Sequence, residues 1–111
     1  MQLDRLPTAP DTAREQIHLE VRDFQARVRR GGQTIELQPR EYRLLECLMR
    51  HAEQVVTRTM LLELVWDLHF DPHTNVVETH ISRLRGKIER AGDAPLIHTI
   101  RGAGYMLRAP A

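Results

Sequence analysis

The sequence predicts an α+β fold: a small N-terminal antiparallel sheet, a bundle of three helices, and a C-terminal β-hairpin. Three observations carry this. Hydrophobic residues alternate with period two in "IHLEVRD" and again on both sides of Gly31-Gly32. The middle of the chain switches to helical spacing in three separate runs. The end returns to two β-rich runs, "LIHTI" and "YMLR", on either side of Arg101-Gly102-Ala103-Gly104.

Taken in order, residues 1–15 mix Pro7, Pro10, threonine and charges without periodicity, as a linker or arm does. The folded domain is expected over 16–109. Ile17, Leu19 and Val21 form one face of a first strand, and "ARVRRGGQTIEL" reads as a hairpin turning at Gly31-Gly32. Pro39 suits the first turn of a helix, where a missing N–H costs no hydrogen bond. The helix it opens places Tyr42, Leu45, Leu48 and Met49 on one face. Thr57 is a natural N-cap for a second helix that turns Leu61, Leu62, Val65 and Trp66 inward and is expected to break at Asp71-Pro72. A third helix covers about 75–90 and ends through Gly92.

That third helix separates burial from charge. At about 100° per residue, Ile81, Leu84 and Ile88 fall within about 40° of Val77, a single apolar stripe. Thr79, Ser82, Gly86 and Arg90 lie near the opposite pole, with Arg83 on the same outer half. Arg85 and Lys87 flank the stripe on either side, where long side chains can reach outward. Between Thr74 and Arg90 there are four cations against two anions, Glu78 and Glu89. A helix anchored along one stripe with small polar residues and arginine opposite is suited to entering a DNA major groove. A solvated helix whose terminal cations complement the macrodipole accounts for Lys87 and Arg90, but less well for Arg83.

Whole-chain properties bound the reading. The 111 residues suit one compact domain, and the net charge of +1 locates no nucleic-acid surface by itself. Cys47 stands alone among Leu45, Leu48 and Met49 and reads as a small apolar residue in a reducing, cytoplasmic setting. No run approaches the ~20 apolar residues of a membrane span. His69, Asp71, His73 and His80 are close in sequence but lack a cysteine partner and a helical register for a metal, so neither metal nor cofactor is expected. Ser82 and His80 point to different helix faces and form no nucleophile–base pair, and the "GAG" turn is too short to cradle phosphates. No enzyme is implied.

Trp66, "HTNVVETHISRLRGK" and "HTIRGAGY" resemble the winged-helix effector domain of OmpR/PhoB-type response regulators. The blocks "LQPREYRLLECL", "VVTRTMLLELVW", "NVVETHISRLRGKI" and "TIRGAGYML" carry this resemblance, in order, from about Ile17 to Leu107. It implies sequence-specific binding of double-stranded DNA and regulation of transcription. The third helix would lie in the major groove, and a wing over about 97–107 at the minor groove. Arg83 and Arg85 match groove-facing arginines and Arg101 matches a wing-tip arginine. Thr99, Tyr105, Trp66 and Arg58 match phosphate contacts. Asn75, Thr79, His80, Ser82 and Lys87 complete the candidate DNA-binding set. Ser82 stands where many members carry another basic residue.

The resemblance further implies a receiver domain upstream, a monomer when free, and a head-to-tail dimer on tandem half-sites. The loop holding Asp67, His69, Phe70, Asp71 and His73 matches the segment often assigned to RNA polymerase contact. The rival reading is a winged-helix module for protein–protein contact, which requires an apolar outer face on the third helix.

Overall fold

The computed structural model describes residues 17–22, 25–30, 32–90 and 94–108. The expected linker, and Gly31 and Gly92, lie outside them. Strands β1 (Ile17–Arg22), β2 (Gln25–Arg30) and β3 (Gln33–Leu37) form an antiparallel meander. Gly32 turns the second hairpin with φ +84°. The register sets Val28 opposite Ile35, and both are buried. Thr34 and Glu36, on the other face of β3, are exposed, as strict alternation requires.

Helix α1 (Pro39–Arg50) has proline in its first turn, as expected. It buries more than one stripe: Leu44 is as fully enclosed as Leu45 and Leu48, while Tyr42 and Met49 are only partly covered. The expected face was too narrow because α1 packs against the sheet and against both of the other helices.

In α2 (Arg58–Trp66) the Thr57 hydroxyl accepts the Met60 N–H at 3.1 Å, so the cap stands where expected. The helix stops at Trp66, before Asp71-Pro72. Asp67 adopts a left-handed conformation, φ 55°, and the N–H groups of Asp67 and Leu68 turn back to the Leu62 carbonyl. Trp66 is only half-buried, whereas Leu61, Leu62 and Val65 are in the core.

Helix α3 (Val76–Ile88) buries Val77, Ile81, Leu84 and Ile88, the stripe read from the sequence. Each such side chain contributes about 1.5–3 kcal/mol by leaving water. Two side chains fix the far end of α3. Arg30 donates to the Ile88 carbonyl at 2.7 Å and to the Ala94 carbonyl at 2.6 Å. Glu89 accepts the N–H groups of Leu96 and Ile97 at 2.9 and 2.8 Å.

The hairpin of β4 (Ile97–Ile100) and β5 (Gly104–Leu107) closes through a turn at residues 101–103. Gly104 is the first residue of β5 and not part of the turn. There β5 meets Val56 through paired backbone hydrogen bonds of 2.7 and 2.9 Å with Tyr105. A Cβ on Gly104 would be driven into the Val56 carbonyl and lie 2.9 Å from the Thr57 Cα. The hairpin is thereby stitched to the start of α2. Among the described residues, no helix is long and apolar enough to cross a membrane.

Candidate nucleic-acid interface

Helix α3 presents Asn75, Thr79, Ser82, Arg83 and Gly86 away from the core. Asn75, Ser82, Arg83 and Gly86 are exposed and Thr79 is half-buried. Gly86 has no heavy atom within 4 Å of where a Cβ would sit, so the middle of this face is open. Among the described residues, the Arg83 and Arg101 side chains have no hydrogen-bond or ion-pair partner, and both are exposed. Arg101 follows β4 directly and stands beside Gly102 at φ +75°, at the tip of the hairpin. An unpaired guanidinium has all five donors available to a base edge or a phosphate.

The other expected cations are engaged inside the fold. Arg85 donates through Nη2 to the Thr99 hydroxyl at 2.6 Å and through Nε to the Ile97 carbonyl at 3.2 Å. It therefore ties α3 to β4. Lys87 does not reach outward as the helical wheel suggested. Its Nζ lies 2.6 Å from Oε1 of Glu41, a carboxylate only 2% exposed that also accepts the Gln38 N–H at 2.8 Å. A buried carboxylate requires such partners, and Lys87 is the charged one.

Arg58 is also occupied. It donates to Asp71 at 2.8 Å, to Glu78 at 2.9 Å and to the Thr74 carbonyl, clasping the α2–α3 loop to both helices. Its hydrogen bond to the Asp71 carboxylate raises its pKa first, and that to Glu78 next. The same Arg58 bond, aided by the His73 N–H at 2.8 Å, holds the Asp71 carboxyl below the usual carboxylate range. Sequence order alone gives no sign that these three regions converge.

Tyr105 is almost wholly buried, at 9% exposure. Burial raises the pKa of its phenol, and Glu78 acts in the same sense while Arg85 and Arg58 oppose it. On the other flank of α3, the His80 Nδ1–H donates to the Val76 carbonyl at 2.8 Å. Its ring meets Trp66 edge-on at 5.1 Å between centroids. Arg40 covers the Trp66 ring at 5.6 Å. Sequence reasoning missed Arg40 because its neighbour in space is 26 positions along the chain.

In the α2–α3 loop, Asp67, His69, Asp71 and His73 are exposed, and Phe70 is 65% exposed. Asp71 is committed to Arg58. Among the described residues, no three His, Cys, Asp or Glu side chains are grouped to hold a metal ion. Cys47 is buried in α1, and burial pushes its thiol pKa up.

Residues 32–107 match the model of the family described as transcriptional regulatory protein, C terminal. This chain belongs to that family. Its similarity to the transcriptional regulatory protein CusR of Escherichia coli strain K12 is 43% identity over 84 residues, 76% of this chain and 37% of CusR. The response regulator MprA of Mycobacterium leprae is 39% identical over 106 residues, 91% of this chain and 46% of MprA. The chain thus spans less than half the length of these curated relatives. Among solved structures, the DNA-binding domain of CpxR from E. coli matches with TM-score 0.67 and 32% identity, covering 84% of this chain and 98% of that one. The Klebsiella pneumoniae RstA DNA-binding domain in complex with RstA box matches with TM-score 0.67 and 27% identity, covering 81% and 96%. The sheet, three helices and hairpin are the winged helix of OmpR/PhoB-type regulators, as the sequence resemblance implied.

Proposed function

We infer that this chain is the double-stranded DNA-binding effector domain of a two-component response regulator and regulates transcription. One observation carries the reading. The outer face of α3 is small, polar and open, with Arg83 upon it and Arg101 on the hairpin beside it, both unpartnered among the described residues. A protein-docking helix would be apolar there. Among the described residues, the exposed large apolar side chains, Val55, Leu64 and Phe70, lie before Thr57, in α2 and in the α2–α3 loop instead.

In this reading α3 enters the major groove and Arg83 reads a base edge. Arg101 follows the minor groove, and Thr99 and Trp66 face phosphates. Asn75, Thr79 and Ser82 set sequence preference through short polar contacts. Arg58 and Lys87 instead hold the frame. The loop around Phe70 is a protein-facing surface for RNA polymerase. The whole protein carries a receiver domain upstream and works in the cytoplasm. The domain is monomeric when free and pairs head to tail on half-sites about one helical turn apart.

The test is fluorescence anisotropy on labelled duplexes across a salt series. Binding should fall with salt, by a slope of about 0.9 per phosphate neutralised. Arg83→Ala should lose ~1–3 kcal/mol on a preferred site and much less on random duplex. Arg101→Ala should flatten the slope by about one unit, most visibly where A·T-rich flanks narrow the minor groove. Absence of saturable, salt-dependent binding to a genomic duplex pool would overturn the reading.

A further inference from the structure

Helix α3 has two flanks, and the hairpin serves only one of them. On the opposite flank a cleft of about 600 Å³ opens between the start of α1 and α3, lined by residues 38–41 with His80, Arg83 and Lys87. Its acidic group, Glu41, is buried and already paired with Lys87. Arg40 and Arg83 are left as uncompensated charges at its rim. Among the described residues, Arg83 has no partner, and Arg40 makes only the contact with the Trp66 ring. That contact is a cation–π approach and uses no hydrogen bond, so the N–H donors of Arg40 stay available.

A major groove is about 12 Å wide, and an α-helix with its side chains is about 10–12 Å across. A helix seated there has a phosphate backbone close on each side. Arg85, Thr99 and the hairpin are available to one backbone. The other backbone would run past the cleft. Resting on the DNA-binding reading above, we propose that the α1–α3 cleft seats a backbone phosphate of the second groove-lining strand, with Arg40 as its principal donor. Trp66 lies 5.6 Å from the Arg40 guanidinium and limits where it can swing, and the His80 ring, fixed by Val76, supports Trp66 from its edge. Arg40 is then a non-sequence-reading contact that sets how deeply α3 sits and in what register.

The experiment pairs protein variants with DNA carrying single neutral methylphosphonates, walked along both strands of a preferred duplex. For the wild-type domain, one substitution on the α1-side strand should weaken binding roughly three- to tenfold. Arg40→Gln should weaken binding to unmodified preferred and random duplex by a similar factor and flatten the salt slope by about one unit. It should also be indifferent to that same methylphosphonate. Arg40→Lys, which keeps the charge but not the planar guanidinium, should retain the slope and most of the sensitivity. It decides the matter if Arg40→Gln melts at a lower temperature. If the wild type binds duplex but Arg40→Gln keeps its affinity, its slope and its sensitivity at every phosphate, the cleft proposal is overturned and the DNA-binding reading stands. Loss of slope and sensitivity in a folded Arg40→Lys would overturn it as well. If the wild type binds no duplex, the underlying reading falls first.

Discussion

The guanidinium of Arg85 and the hydroxyl of Thr99 are 2.6 Å apart, so two candidate DNA contacts bind each other across the α3–β4 junction. Thr99 limits the conformations Arg85 can sample, and the Ile97 carbonyl fixes Nε from behind. An arginine oriented in advance loses less side-chain entropy when it meets a phosphate. Thr99→Val and Arg85→Ala should therefore be non-additive in DNA affinity. A double-mutant cycle should give a coupling of about 0.5–1.5 kcal/mol, read as Kd by anisotropy. Strict additivity would mean that Thr99 does not position Arg85.

Gly86 offers a contrast between stability and binding. It sits mid-helix on the open face, and a Cβ there would meet nothing within 4 Å. The fold gains nothing from it, yet glycine costs ~1 kcal/mol relative to alanine in a helix. Gly86→Ala should raise thermal stability by about that amount. It should also weaken binding to a preferred duplex, because the methyl would occupy space where α3 approaches the groove. A variant that is more stable and binds equally well would show that DNA does not approach the helix at Gly86.

Much of this was legible in the sequence, and the failures share a cause. The α3 stripe could be read because Val77, Ile81, Leu84 and Ile88 repeat along one element and pack toward one side. The Thr57 cap and the Pro39 helix start are equally local signals. Leu44 was missed because α1 is covered on two sides, which a single-stripe reading does not anticipate. The destinations of Lys87, Arg58 and Arg85 lie 46, 20 and 14 residues away, and no period or propensity reports such meetings. A cation on an outward-leaning helix position looks the same in sequence whether it meets solvent, DNA or a buried carboxylate. The Glu41 position did carry a clue: an acid three residues after Gln38 at a helix start can turn back to cap it.

The Arg58 clasp predicts a pH response. The folded-state pKa of Asp71 is depressed, so its ion pair contributes stability that is fully present above the unfolded carboxylate value of about 3.9. That contribution is lost as pH falls through the folded value. Asp71→Asn should lower stability near neutral pH and flatten the acid limb of a stability–pH profile below about pH 4. Its effect on the loop should be visible in amide exchange at His73, whose N–H bonds to the same carboxylate. Parallel acid limbs for the two proteins would show that Asp71 does not sense protonation through this pair.

Lys87 and Glu41 separate the roles of the two flanking cations of α3. If Lys87 held DNA alone, removing it would lower affinity and leave the fold unchanged. Its Nζ is instead 2.6 Å from a carboxylate that is 2% exposed and already uses the Gln38 N–H. Removing the ammonium leaves that carboxylate inside the protein with one hydrogen bond and no opposite charge. Breaking a fully buried pair this way costs about 3–5 kcal/mol. Here Lys87 remains about a third exposed and water can replace part of what it supplies, so about 1–3 kcal/mol is expected. Lys87→Met should therefore lower the urea midpoint with little change in the m-value. Adding Glu41→Gln should restore part of the loss, since a neutral amide no longer needs the ammonium and still accepts from Gln38. DNA affinity, measured well below the melting temperature, should fall less for Lys87→Met than for Arg83→Ala. Unchanged stability with a large affinity loss would return Lys87 to the DNA surface and reduce the Glu41 pair to a contact that solvent readily replaces.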